Sequence, residues 1–154
     1  QIIYCPSLTD CHQRTAKEVA ALQSSKLTKG QTLILHADSK QLYALESQLR
    51  SALADFSAVH NAKDGVMPKA AFCQTSTLNA ATGLEASIVF LLGIDHLLDS
   101  EDDPRHSSDE RAELIATHTR QLYMAFTRAG QQLIILTKNK KNYTSLEKLT
   151  HQQF

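Results

Sequence analysis

Ser87-Ile88-Val89-Phe90-Leu91-Leu92 is an apolar run that reads as a core strand, and the rest of the chain arranges itself around it. Upstream, Thr32-Leu33-Ile34-Leu35-His36 is a second near-continuous apolar run, suited to a strand covered on both faces. Gln131 to Thr137 supplies a strand after it, Ala70 to Thr75 a strand before it, and Ile2 to Cys5 a short opening strand closed by Pro6. Helical spacing lies between them. Ala16, Val19, Ala20 and Leu22 recur after a cap at Thr9 or Asp10, and Leu42, Leu45, Leu49, Leu53 and Phe56 form the stripe of a helix beginning at Ser39. A long helix runs from a cap at Ser107 or Ser108 to about Phe126, and Asn142 to Leu149 makes a short closing helix. Turns are expected at Lys29-Gly30 and in the loop punctuated by Gly65 and Pro68. Strands alternating with helices predict an α/β fold with a mostly parallel sheet flanked on both faces.

The chain has 154 residues and 42% hydrophobic content, which suits one compact domain spanning 1–154. Formal net charge is zero, which excludes a global field drawing the domain onto a polyanion. The charge is unevenly spread. Eight of the 16 acidic residues lie between Asp95 and Glu113, whereas Lys138, Lys140, Lys141 and Lys148 cluster near the end. Asp99-Ser100-Glu101-Asp102-Asp103 reads as a solvated acidic loop without calcium-loop spacing, and Asp95 to Ser108 as the one mobile stretch. No membrane span or signal-peptide pattern is present, so no membrane partner is expected. Cys5, Cys11 and Cys73 form no C-x-x-C pair and read as reduced thiols of a cytoplasmic protein. The seven histidines lack metal-ligand spacing, and no metal site is predicted. Gln1 opens directly on an apolar run, as in a piece cut from a larger protein.

Two polar stretches adjoin core strands. Thr77-Leu78-Asn79-Ala80-Ala81-Thr82-Gly83-Leu84-Glu85 is a turn leading into the Ser87 strand, with Gly83 free to adopt angles barred to other residues. Leu122-Tyr123-Met124-Ala125-Phe126-Thr127-Arg128-Ala129 ends a helix just before the last strand. Ligands of parallel sheets gather at the carboxyl ends of strands, and the turn is expected to be a loop excursion at a sheet edge. An arginine at a helix end has a fixed backbone and an aimable fork of donors, which suits a phosphate. The bland alternative for Arg128 is a surface ion pair.

The same stretches resemble motifs of the UvrD/Rep-type superfamily 1 DNA helicases. T-L-N-A-A-T-G-L-E-A-S-I-V-F-L-L-G, within 75–93, is similar to motif V, and R-Q-L-Y-M-A-F-T-R-A-G-Q-Q-L-I-I-L, 120–136, is similar to motif VI. Both occur in the family's order with matching strands, and Thr32 to Leu53 resembles the strand-helix segment before the family's large insertion. The resemblance implies the second RecA-like motor domain, a three-layer α/β fold. By position it implies that Arg128 is the arginine finger, reaching the γ-phosphate of ATP across the cleft between motor domains. It implies that Glu85 accepts from the ribose and that the Gly83 backbone lies near the nucleotide. Thr77 and Asn79 match the part of motif V beside single-stranded DNA. Arg120 matches a basic helix residue, read here as an ion-pair former, and Tyr123 is expected to pack against the sheet.

The departures are specific. Asn79 and Thr82 stand where motif V usually has His and Lys, and His36-Ala37-Asp38 lacks the arginine often found after that strand. These losses remove cations from the DNA side and leave Arg128 and Glu85 untouched. No G-x-x-x-x-G-K-[ST] phosphate loop and no Walker B strand occur. ATP with Mg2+ would therefore be held mainly by a first motor domain upstream, and this piece alone should be inactive. Between Ala58 and Thr77 there is no room for the large insertion. The expected function is the C-terminal motor domain of an ATP-dependent helicase or translocase, an ATP hydrolase, acting on single-stranded DNA with its N-terminal motor partner. The alternative is a non-catalytic RecA-like interaction module with decayed motifs. A helicase-nuclease fusion would need a nuclease motif beyond Phe154.

Overall fold

The computed structural model describes residues 1–25, 31–138 and 143–150. The expected turn at Lys29-Gly30 lies outside them, as do Lys140 and Lys141. Among the described residues, strands β1 (Ile2–Tyr4), β2 (Thr32–His36), β3 (Val59–Asn61), β4 (Cys73–Thr77), β5 (Ala86–Leu92) and β6 (Ala129–Thr137) form one sheet in the order β1-β6-β5-β2-β4-β3. Every neighbouring pair is parallel. Helices α1 (Leu8–Ser24) and α2 (Ser39–Leu53) cover one face; α4 (Ser108–Phe126) and α5 (Thr144–Thr150) cover the other. A short α3 (Ile94–Leu98) follows β5. This is the three-layer RecA-like architecture.

Two apolar cores explain why the central strands are apolar throughout. Ile34, Phe90, Leu92 and Leu136 point toward Val19 of α1 and Leu45 and Leu49 of α2. The alternate residues Leu33, Leu35, Val89, Leu91 and Ile135 meet Leu122 and Ala125 of α4 and Leu146 of α5. The connection from β4 to β5 departs from the expected edge excursion. Residues 78–85 cross β2 on the α4 side without a helix, burying Leu78 and Ala81 in that core.

Caps and boundaries follow local chemistry, with four corrections. Ser7, not Thr9 or Asp10, caps α1, accepting from Asp10 N at 3.1 Å. The third strand is β4 at Cys73–Thr77, later than the expected Ala70 to Thr75, and β3 at Val59–Asn61 precedes it unforeseen. Phe56 falls beyond α2 and is 77% exposed, with the Arg50 guanidinium 4.5 Å above its ring. The acidic stretch is not simply a solvated loop. Asp95 and Glu101 are buried, and the chain between them forms α3 and a single 3-10 turn. Ser107 does cap α4, in a capping box with Glu110.

Buried polar groups clamp these loops. Asp95 accepts from Thr137 Oγ1 at 2.6 Å, Lys138 N at 3.0 Å and Tyr143 Oη at 2.9 Å. Glu101 accepts from His118 Nδ1 at 2.9 Å and Ser145 Oγ at 2.5 Å, tying α4 to α5. Glu46 of α2 accepts from Asn61 and Thr75, fixing β3 and β4.

His12 of α1 and His36 of β2 form a further clamp, Nε2 to Nε2 at 3.0 Å, both fully buried. His36 Nδ1 accepts the Asp38 N–H at 3.0 Å, so the neutral ring carries its proton on Nε2 and donates it to His12. An extra proton on either ring sets two donors face to face. Burial, with the second ring beside it, lowers His36 from 6.5 to about 4, and burial lowers His12. A folded value below the unfolded one gives stability that is complete above pH 6.5 and falls as pH drops toward 4. For His36 the loss approaches about 1.4 kcal/mol per pH unit in that window. Urea unfolding between pH 7 and 4 should show this slope, and His36→Gln should flatten it.

Gly93 rests against the same ring at φ +74°, where an added Cβ would lie 2.6 Å from His36 Cε1. The ring is bonded at both nitrogens and has no way to yield. Gly93→Ala should therefore cost about 2 kcal/mol or more in urea unfolding.

Candidate functional site

Arg128 follows α4 and precedes β6, so the helix and the sheet both fix its backbone; Arg128 N donates to Ala125 O, and Arg128 O accepts from Ala86 N. Its Nε faces Met124 O at 3.3 Å and its Nη1 faces Leu84 O at 3.4 Å. These carbonyls orient the guanidinium without neutralising it. Among the described residues no carboxylate lies within ion-pair distance of Arg128, so the surface ion-pair reading is not realised.

Arg128 and Glu85 line one polar cleft of about 410 Å³ with Gln31, Ser87, Thr127 and Gly130. Gly83 leads into it at φ +81°. Two motifs distant in sequence thus meet, because β5 pairs β6 and each motif enters its strand at the same end. That end is the amino edge of the sheet, opposite the carboxyl edge where ligands were expected.

Thr77 ends β4 at the carboxyl edge, beside the N-terminus of α2. It lines a pocket of about 310 Å³ with Ser39, Lys40, Tyr43, Asn61, Lys63 and Ser76. Lys63 sits 4.5 Å above the Tyr43 ring and hydrogen-bonds its hydroxyl. Lys40 and Lys63, which the sequence did not single out, place two cations beside Thr77. Only the fold could reveal them, since β3 carries Lys63 to the start of α2. Asn79 does not join this pocket. Its Oδ1 accepts from Gln121 Nε2 at 3.0 Å, clipping the crossover to α4.

Two motif VI expectations are corrected. Tyr123 is 45% exposed, not packed on the sheet; it lines an apolar cleft of about 320 Å³ with Phe126 and Leu133 on the other side of Thr127. Arg120 donates to Thr117 Oγ1 at 3.2 Å one turn back, in place of the expected ion pair. Among the described residues, no three His, Cys, Asp or Glu side chains gather where they could hold a metal ion, and no helix is long and apolar enough to cross a membrane.

No protein-family model and no curated protein matches the chain. Among solved structures, it is similar to the C-terminal domain of a possible DNA helicase from Lactobacillus plantarum WCFS1. The TM-score is 0.62 and the identity 17%, over 98% of this chain and 80% of that one. At that identity the likeness is one of fold.

Gly83 offers a clean test of the turn. An added Cβ would meet nothing within 4 Å, so the only penalty is the left-handed backbone. Gly83→Ala should cost about 1 kcal/mol in urea unfolding.

Proposed function

We propose that this chain is the second motor domain of a UvrD/Rep-like, superfamily 1 DNA helicase or translocase that hydrolyses ATP and moves on single-stranded DNA. The observation that carries this reading is the shared cleft. The motif V glutamate and the motif VI arginine line one polar cavity at the amino edge, although the chain separates them. The similarity in fold to a C-terminal domain described as belonging to a possible DNA helicase agrees with it.

In this reading Arg128 stabilises charge spreading over the transferring phosphoryl group. Its two carbonyl contacts hold the fork in place beforehand, so little reorganisation is needed as that charge develops. Glu85 accepts from a ribose hydroxyl, and the left-handed turn at Gly83 sets the approach of the backbone. One arginine and one carboxylate fit a nucleotide's outer edge, but they make neither a phosphate cradle nor a magnesium site. Those parts fall to the N-terminal motor domain, which also closes the cleft. Single-stranded DNA runs along the opposite edge, where Thr77, Lys40 and Lys63 present a hydroxyl and two cations to its phosphates. The chain alone binds nucleotide weakly and turns over none. A non-catalytic module with decayed motifs is the competing reading, favoured by the internal use of Asn79.

Single-strand-stimulated ATPase of the full-length parent decides between them. Arg128→Ala should lower kcat by about 10³-fold or more while the protein stays folded. Equal rates would make Arg128 structural, and no turnover in the wild type would establish the decayed module.

A further inference from the structure

Gln31 belongs to neither motif, yet it lines the amino-edge cleft with Glu85 and Arg128. Strand β5 holds both of its oxygens. Ile88 N donates to the main-chain carbonyl at 2.9 Å, and Ser87 Oγ donates to Oε1 at 2.6 Å. With Oε1 engaged, the carboxamide is fixed in direction, and its Nε2 carries two donors that no described residue accepts.

The sheet makes room for this pair. Ala86 is in register with Ala129 but Ile88 with Gln132, so Gly130 and Gln131 together oppose Ser87 in a β-bulge. Bulges of this kind turn side chains toward a site. Gly130 adds no side chain there; a Cβ would stand 3.6 Å from Ala86 O and 3.7 Å from Ser87 Cα, on the cleft floor.

The order of strands along the edge gives the pair a role. Arg128 enters β6, Glu85 enters β5 and Gln31 enters β2, and these three strands are consecutive neighbours. Across the sheet Glu85 therefore lies between the other two, with Arg128 and Gln31 two strand spacings, about 10 Å, apart sideways. Along the strands Arg128 is level with Glu85, and Gln31 with Ser87, two residues further in. A nucleotide with its phosphates at Arg128 and its ribose at Glu85 carries its base toward Gln31.

We propose that Gln31 is the base-end contact of this cleft, donating from Nε2 to a ring-nitrogen or carbonyl acceptor of a nucleoside triphosphate, with Ser87 as the residue that positions it. The assignment rests on the nucleotide reading above and adds to it the end of the ligand that motifs V and VI leave unread.

Amide NMR titration of the 154-residue chain tests it with two probes, ATP and ribose 5-triphosphate, the second being the first without its base. Gln31→Ala should weaken ATP about fivefold or more and leave ribose triphosphate unchanged. Ser87→Ala should reproduce part of that loss, Ser87→Thr should restore it, and Arg128→Ala should weaken both ligands alike. Amide spectra confirm that each variant is folded. If Gln31→Ala weakens both ligands equally, or neither, the base-end assignment is overturned while the nucleotide reading stands. If the wild-type chain shows no shift with either ligand up to about 10 mM, the two fall together.

Discussion

The parallel pairing of β2 and β5 governs the rest of the molecule. Leu33 to Leu35 and Val89 to Leu92 lie side by side at zero exposure, with helices over both faces. No polar group can be placed along them without losing its water, so the chemistry of this fold is confined to strand ends. Each end must then satisfy what the interior cannot. At the carboxyl edge this is done with His36 and Asp95, and at the amino edge with Gln31, Ser87 and the backbone around Arg128.

The two edges are built differently. At the carboxyl edge, buried Asp95 accepts from Thr137 and Tyr143, neighbours far apart from it in the chain. Removing one partner there strands a charge or a donor in the core, so this edge is rigid by necessity. The amino edge is held by carbonyls and neutral side chains, and its cleft stays polar and open. The crossover of residues 78–85 links them, rooted at one end by Leu78 N to His36 O and at the other by Leu84 O to Arg128 Nη1.

What the sequence disclosed follows from how local the determinants are. The central strands were legible because an unbroken apolar run has one comfortable environment. The Ser107 cap was legible because its partner Glu110 is three residues away. Strand β3 was not, since Val59-His60-Asn61 is short and polar and is defined by pairing with β4. The apolar Ala71-Phe72 misled in turn, because its burial comes from packing and from Phe72 N bonding Ala58 O, with the ladder beginning only at Cys73. The acidic stretch misled for a related reason: composition reports solvation on average, whereas His118 and Ser145 bury Glu101 from positions no local pattern reveals. That Glu85 and Arg128 stand just before core strands was legible, but their edge was not. That depends on which end of each strand a motif enters, and here both enter at the amino end.

Under the proposed function, the way Arg128 is held would let a motor depend on it while the isolated domain uses it little. A carboxylate partner would have fixed the guanidinium and also cancelled most of its field at the cleft. Two main-chain carbonyls at 3.3 and 3.4 Å direct it and leave its charge available. In an open cleft that charge is worth little, because water reaches the half-buried guanidinium and screens it. Its value rises only when a second wall excludes water and brings a phosphate to the fork. In the proposed motor, an arginine poised on carbonyls would be suited to report closure: weak alone, and strong once the partner domain makes the site dry.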